Sequence, residues 1–148
     1  MIKGIQFEIP NKWGYVLRDI LKDINLANYV FEINDDNEIW MENNKQLFVE
    51  EVIGGEDFNK LICQNPYYII FANIHIYKTG SKISKIKTYK EFLDSECEII
   101  ILIIDSINIC IYVKDKEKLD KIELNAKKNE FKNIEYITDE NDYITMLK

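Results

Sequence analysis

The longest apolar run in the chain lies at residues 99–104, where six consecutive positions hold isoleucine or leucine. A run of this kind is typical of a strand that is buried on both faces. Asp105 and Ser106 then offer a turn, and residues 107–113 alternate between apolar and mixed positions, as a half-covered strand does. The pattern predicts a hairpin whose first strand is central in a sheet.

Alternating apolar positions predict five further strands, most of them bounded by turn residues. Their predicted ranges are residues 3–9, 29–33, 38–41, 67–77 and 133–137. Two weaker strand signals are a short apolar segment at residues 47–49 and a lysine-rich segment that follows a turn within residues 78–87.

Apolar residues at helical spacing, together with capping residues, predict the helices between these strands. The predicted helices begin after Asn11, at residue 56, after Thr88, after Asp115 and, for a short last helix, after Thr138. The first should reach Ile24. Thr88 and Glu91 have the spacing of a capping box. The longest helix extends to about residue 129, with an inner stripe of Leu119, Ile122 and Ala126.

The order of these elements indicates an α+β fold, with a largely antiparallel or mixed central sheet and helices packed on it. Read along the chain, the order is βαββαβ, and its last strand opens a second βαββαβ unit. Two ferredoxin-like halves that share one long sheet are therefore one arrangement to be tested. With 148 residues and no Pro-rich or Gly-rich linker, residues 1–148 are expected to form a single globular domain.

The charge of the chain limits the classes of partner. A net charge of −7 argues against non-specific nucleic-acid binding, which needs a basic surface, and favours a basic protein partner. The charge is uneven, because residues 78–90 contain five lysines and no acid. These lysines are expected to protect an edge strand from aggregation, with anion binding as the alternative.

Three cysteines without close spacing, Cys63, Cys97 and Cys110, favour free thiols in a reducing compartment. The N-terminal residues lack the apolar region of a signal peptide, and the run at 99–104 is far shorter than the ~20 residues of a membrane helix. We therefore expect a cytoplasmic protein that binds neither membrane nor nucleic acid.

Two of the predicted strands carry polar and aromatic residues on alternate positions, and these are the candidate ligand or partner face. If the two strands are neighbours, the residues form one surface. They are Asn73, His75 and Tyr77 on one strand and Asn108, Cys110 and Tyr112 on the other. A half-solvated sheet face, or one covered by a loop, is the structural alternative.

Signatures of catalysis and metal binding are weak in this sequence. His75 is the only histidine, so a two-histidine metal site is excluded, and no local motif supports a nucleophile pair of Cys110 and His75. The acidic segment 139–142 lacks the ligand spacing of a calcium loop and is better explained by helix capping. Phosphate-loop and dinucleotide-binding motifs are absent. The sequence therefore predicts no enzyme, no metal and no cofactor.

Four stretches resemble a family of small uncharacterised bacterial proteins. They are residues 4–11 (GIQFEIPN), 68–72 (YIIFA), 89–98 (YKEFLDSECE) and 136–142 (YITDEND). The resemblance implies an independently folded bacterial domain of unknown function, and it carries over no site residue.

Two functions are compatible with these observations. The first is a non-catalytic acidic interaction module that meets a basic protein, as an immunity protein or antitoxin does. The alternative is a small-molecule sensor that uses the polar-aromatic sheet face. A homodimer through an exposed sheet edge is a further expectation.

Overall fold

The computed structural model describes residues 1–143 and 147 of the chain. Within them, eight strands, four α-helices and one 3₁₀ turn follow one another along the chain. The strands are β1 (Ile2–Glu8), β2 (Tyr29–Ile33), β3 (Glu38–Met41), β4 (Val52–Gly54), β5 (Tyr67–Lys78), β6 (Cys97–Ile104), β7 (Asn108–Val113) and β8 (Lys132–Thr138). The helices are α1 (Val16–Ile20), α2 (Gly55–Gln64), α3 (Tyr89–Asp94) and α4 (Lys116–Lys128), and the 3₁₀ turn is Leu26–Asn28.

All the described strands join one antiparallel sheet, in the order β4-β2-β5-β6-β7-β1-β8. β3 lies off this path and pairs with the first half of β5, whose second half pairs with β2. The predicted α+β fold with a largely antiparallel sheet is therefore confirmed. The predicted central strand is also confirmed, since β6 has three strands on either side of it.

The strand order excludes two ferredoxin-like halves. A ferredoxin-like unit places its first strand between its third and fourth strands. In the second half of the chain those strands would be β5, β7 and β8, yet β5 lies between β2 and β6. The place between β7 and β8 is taken by β1, which pairs with both of them. The N-terminal strand thus closes the C-terminal half of the sheet.

Two hydrophobic layers cover the two faces of the sheet. The larger core lies under α1, α2 and α4, where aromatic rings stack, as Phe31 does on Phe58 with ring centroids 3.8 Å apart. The inner stripe of α4 is confirmed, because Leu119, Ile122 and Ala126 are all buried there. The smaller core on the opposite face includes Phe92 of α3 and Tyr112.

Helix α1 is shorter than predicted. It begins at Val16 and not after Asn11, because Gly14 forms an antiparallel bridge with Tyr67 and residues 11–13 before it are bends. The side chain of Tyr67 then replaces the missing cap: its hydroxyl accepts hydrogen bonds from the backbone N–H of Leu17 and of Arg18. The helix therefore starts where a distant aromatic residue satisfies its free N–H groups.

The two weak strand signals were wrong. Residues 47–49 form a loop in which Leu47 and Phe48 fill the larger core, and the strand of this region is β4 instead. Residues 81–87, which we call the strap, contain no strand, and their Ile83 and Ile86 pack into the smaller core. The lysines of the strap therefore do not lie on a strand, so the expectation that they protect a strand edge from aggregation was wrong.

Capping predictions depended on local contacts and were confirmed at two helices. The Thr88 hydroxyl accepts a hydrogen bond from the Glu91 N–H, and the Asp115 carboxylate accepts one from the Glu117 N–H. After Thr138 the described residues form a turn at 139–141 and not a helix. The part of that predicted helix at residues 144–146 and 148 lies outside the described residues.

Candidate functional site

The six predicted site residues share one face of the sheet, but they do not form one surface. β6 lies between β5 and β7, so His75 is opposite Ile100, which is opposite Tyr112. Leu102 separates Asn73 from Cys110 in the same way. The predicted surface is therefore divided into a β5 half and a β7 half by two apolar side chains.

The β7 half is covered by residues that follow β8. Tyr112 is fully buried, and its hydroxyl donates a hydrogen bond of 2.8 Å to Asp142 Oδ1. Lys3 Nζ lies 3.0 Å from the other oxygen of Asp142 and 4.6 Å from the centre of the Tyr89 ring. This network fills the space above Tyr112 with the chain's own side chains.

Cys110 and Asn108 complete the β7 half. Cys110 is half-buried, and burial, helped by the nearby Asp142 charge, raises the pKa of its thiol to about 11. Because the thiolate is the nucleophilic form, this thiol is unreactive near neutral pH. Cys110 also lies two strands from His75, about 10 Å away. Asn108 is exposed at the end of its strand.

The β5 half lies under the strap. Tyr77 is buried, and its hydroxyl donates a hydrogen bond to the Ser84 carbonyl (3.2 Å) and accepts one from the Ser84 N–H (3.4 Å). Burial raises the pKa of Tyr77 to about 12. These two bonds hold the middle of the strap over the sheet, and Ile86 of the strap is buried beside them.

A cavity of about 340 Å³ remains between the strap and the sheet. Glu32, Asn34 and His75 line it from the sheet and from the end of β2, and residues 83–87 line it from the strap. Glu32 is directly opposite His75 in the β2–β5 register. His75 Nδ1 lies 3.3 Å from Glu32 Oε1, which brings an imidazole and a carboxylate together at the cavity wall.

Burial sets the protonation of this pair. It lowers the pKa of His75 to about 4, although a backbone group of Leu147 beside the ring raises that pKa in part. Burial and the charge of Glu51 raise the pKa of Glu32. At neutral pH the imidazole is therefore uncharged, and one of its ring nitrogens can accept a hydrogen bond.

Two buried side chains at this site have polar atoms without hydrogen-bond partners among the described residues. They are both amide atoms of Asn73 and both ring nitrogens of His75, whose 3.3 Å contact with Glu32 lacks the alignment of a hydrogen bond. The side chains of Asn34 and Asn37 instead bind the backbone of Asn73, with Asn37 both accepting from its N–H and donating to its carbonyl. The backbone at Asn73 is satisfied, whereas its side chain is not.

A second cavity, of about 240 Å³, lies on another part of the surface and was missed by the sequence analysis. Its walls include Trp13, which is 46% exposed and packs 5.7 Å from the Tyr68 ring. The Arg18 guanidinium lies 4.2 Å from the centre of the Tyr15 ring at the same cavity. No sequence signal pointed to this cavity, because Trp13 lies within the helix that was predicted to begin after Asn11.

Acidic side chains are concentrated at one end of the sheet. Residues 32–57, which contain β2, β3 and β4, carry nine acids and one lysine. This segment alone therefore holds a charge of −8, against −7 for the whole chain. All of these acids except Glu32 are exposed, and so are Val49 and Val52 beside them.

A metal-binding cluster and a membrane-spanning helix are both absent from the part of the chain that the structure describes. Residues 1–143 and 147 contain no cluster of three or more histidine, cysteine or acidic side chains arranged to hold a metal ion. In the same part of the chain, every helix is too short or too polar to cross a membrane.

Comparison with known proteins gives two similarities. A family model described as "Protein of unknown function (DUF2691)" matches residues 2–148. Over 151 aligned positions the chain is 34% identical to the "Uncharacterized protein YncE" of Bacillus subtilis (strain 168), and the match covers 99% of each chain. No solved structure gives a significant match.

Proposed function

The chain belongs to the DUF2691 family of proteins of unknown function, and on that premise we propose that it is a non-catalytic interaction module that binds a basic protein. The membership confirms the resemblance to uncharacterised bacterial proteins. It assigns no activity, so the proposal depends on the surface of this chain. A role like that of an immunity protein or antitoxin, in the cytoplasm, fits an acidic chain with three free cysteines.

The concentration of charge at residues 32–57 is the observation that carries this proposal. Like charges held close together on one surface raise the local potential, which steers a basic partner and speeds its association. Val49, 89% exposed, and Val52, 46% exposed, lie among these acids at the β4 edge. A small apolar area within a charged rim is the usual anatomy of a protein interface.

The proposal is tested by capture from a bacterial lysate, followed by a binding measurement. We expect a basic protein to bind at low salt and to be released at high salt, because salt screens exposed charges over about 10 Å. Mass spectrometry identifies the captured protein, which is then purified and titrated. Failure to recover a basic partner would count heavily against the proposal.

Matched variants locate the interface. Glu50→Gln/Glu51→Gln/Glu56→Gln removes three charges from the acidic end, and Asp94→Asn/Glu96→Gln/Glu117→Gln removes three acids elsewhere on the chain. We expect the first variant to weaken binding at least tenfold and the second to change it little, since the net charge changes equally. Equal losses in both would show that binding follows net charge and involves no specific acidic surface.

A small-molecule sensor is the second candidate, and one observation favours it. The polar-aromatic face predicted for such a sensor is mostly filled by the chain's own side chains, but the cavity beside His75 is not. A metabolite library screened by thermal unfolding tests it, because a ligand that binds only the folded state raises the midpoint. His75→Leu, which alters the cavity wall, should abolish the shift, whereas a shift retained in that variant would assign the ligand to another place.

A further inference from the structure

Buried polar atoms without well-aligned hydrogen bonds lie at and beside the cavity beneath the strap. His75 is 3% exposed and Asn73 is 1% exposed, yet within residues 1–143 and 147 neither side chain makes a well-aligned hydrogen bond; Glu32 and the backbone of Leu147 only approach the imidazole. A buried polar group without a partner costs about 1–3 kcal/mol, and native proteins leave few such groups. His75 is one of the residues that line the cavity, whereas Asn73 is not.

The size of the cavity argues for more than a single bound water. A volume of about 340 Å³ corresponds to roughly ten water molecules at about 30 Å³ each. Small-molecule pockets begin at about 300 Å³. The cavity is thus large enough for a compact metabolite of amino-acid size, and the strap makes one side of it.

Charges of opposite sign occur on different walls of this cavity. The sheet side carries Glu32, a carboxylate that only accepts hydrogen bonds, beside the neutral imidazole of His75. The strap side carries Lys85 and Lys87, which only donate. Ile83 and Ile86 of the strap add an apolar part to the wall. A ligand that matches this lining has an anionic group, a hydrogen-bond donor and an aliphatic body.

We propose that the cavity binds a small carboxylic acid that carries a hydrogen-bond donor next to its carboxylate, as α-amino acids and α-hydroxy acids do. The proposal rests on the sensor function and names its ligand class. Lys85 and Lys87 bind the carboxylate, Glu32 and His75 accept from the amino or hydroxyl group, and Ile83 and Ile86 contact the aliphatic side chain. The two sources of the donor, an amino group and a hydroxyl, are distinguished by the experiment.

The single histidine of the chain supplies the readout. Its imidazole gives one Cε1–Hε1 signal in a carbon-labelled NMR spectrum, and His75 lies in the cavity wall. The protein is titrated with the protein amino acids and with lactate, glycerate, malate and 2-hydroxyisocaproate. Each control lacks one group of the proposed ligand: propionate and 4-methylpentanoate lack the hydrogen-bond donor, and isoamylamine lacks the carboxylate.

We expect a saturable shift of the His75 signal with at least one amino or hydroxy acid, at a concentration at least tenfold lower than with the controls. Saturation by amino acids alone, or by hydroxy acids alone, assigns the donor. No saturable shift with any acid, or equal shifts with the acids and the controls, overturns the proposal and leaves the cavity to water.

Matched lysine variants test the charge assignment. Lys85→Met/Lys87→Met removes the two lysines of the cavity wall, and Lys82→Met/Lys90→Met removes two exposed lysines that do not line it. We expect at least tenfold weaker binding in the first variant and little change in the second, because charge-assisted hydrogen bonds are lost only in the first. Equal effects would contradict the assignment of the carboxylate to Lys85 and Lys87.

These experiments also distinguish a failure of the proposed ligand class from a failure of the sensor function. A metabolite of another class that shifts the His75 signal and raises the unfolding temperature would sustain the sensor and overturn the class named here. Glu32→Gln tests whether Glu32 accepts a hydrogen bond from the amino or hydroxyl group of the ligand. This variant should weaken the binding of acids that carry such a group, and leave the binding of propionate unchanged.

Discussion

Single residues show how burial changes ordinary chemistry in this protein. His75, buried between Glu32 and the strap, has a pKa lowered to about 4, and Cys97, buried in the smaller core, has a pKa raised to about 12. In both cases burial disfavours the charged form. Neither buried group is therefore charged at neutral pH, and surface charges such as those at residues 32–57 and on the strap are the ones available to a partner.

The lowered pKa of His75 predicts a loss of stability in mild acid. In the unfolded chain the imidazole takes up a proton near pH 6.5, whereas in the folded protein it does so only near pH 4. The unfolded state thus binds more protons in this window, and the free energy of unfolding falls as the pH falls. Between pH 7 and 4.5 we expect His75 to account for a loss of about 2 kcal/mol.

Urea unfolding at both pH values measures this loss. His75→Leu should remove it, and the comparison is made in a Glu32→Gln background, because the neighbouring carboxylate titrates in the same range. The other charged groups that line the cavity are Lys85 and Lys87. The same pH dependence with and without His75 would show that the imidazole is not the group responsible.

Two adjacent glycines that look alike in the sequence have different tertiary surroundings. A Cβ atom at Gly55 would overlap the carbonyl oxygen of Leu26, whereas a Cβ atom at Gly54 would meet open space. We expect Gly55→Ala to destabilise the protein by about 2 kcal/mol or more, and Gly54→Ala by about 0.5 kcal/mol. Thermal unfolding of the two variants checks this, and similar losses would contradict the close approach of α2 to the 3₁₀ turn.

At the scale of elements, local sequence signals and long-range contacts determine different features. The β6–β7 hairpin follows from its own sequence, with Asp105 at φ 53° and Ser106 at φ 69° in the turn. The loop has three residues, since Ile104 pairs with Asn108, and residues with positive φ are typical of such tight hairpin connections. Helix α1, in contrast, begins where the hydroxyl of Tyr67 meets it from another part of the chain.

The turn of this hairpin offers a stabilising substitution. A positive φ, such as the 69° of Ser106, is unfavourable for residues with a Cβ atom but not for glycine. We therefore expect Ser106→Gly to stabilise the protein by about 0.5 kcal/mol, after the greater freedom of glycine in the unfolded chain is subtracted. The urea midpoint measures this. Ser106→Ala is the control, since it removes the hydroxyl and keeps the Cβ atom; an equal gain in both variants would rule out the backbone explanation.

At the scale of the whole molecule, segments that are distant in sequence complete the sheet and cover one of its faces. β1 closes the C-terminal half of the sheet, and residues of the strap and of the C-terminal segment cover its smaller core. The Lys3–Asp142 ion pair and the bond from the Leu147 N–H to the Lys87 carbonyl join these parts. Such contacts between distant segments favour one cooperative unit.

The expected single domain can be tested by comparing probes on both faces of the sheet. We expect tryptophan fluorescence, the His75 NMR signal and far-ultraviolet circular dichroism to give the same urea midpoint, as two-state unfolding requires. Trp13 and Trp40 are the fluorescent residues, and His75 reports on the strap side. Separate midpoints would divide the chain into more than one folding unit.

The sheet edges bear on the expected homodimer. β4, at one edge, has three residues, whereas β8, at the other, has seven. We propose that self-association uses β8, because a longer free edge offers more backbone hydrogen bonds. Light scattering across a wide range of protein concentration checks this, and a monomer at the highest concentration would contradict it.

The sequence by itself determined the features that depend on neighbours along the chain. The strands at Tyr29–Ile33 and Glu38–Met41, the caps at Thr88 and Asp115, and the turn of the hairpin all follow from residues a few positions apart. Alternation of apolar residues and capping are local, so one sequence contains all the information they need. The same alternation placed the six candidate residues on one face of the sheet.

Only the tertiary structure decided which strands are neighbours, and with that the candidate site. The pairing of β6 between β5 and β7 divided the predicted surface, and the register of β2 against β5 placed Glu32 opposite His75. Neither contact has a signal in local sequence, because strand pairing depends on how the whole chain closes its sheet and covers both faces. The path of the strap was decided in the same way, since residues 81–87 lack a periodic pattern and are held by bonds from Tyr77.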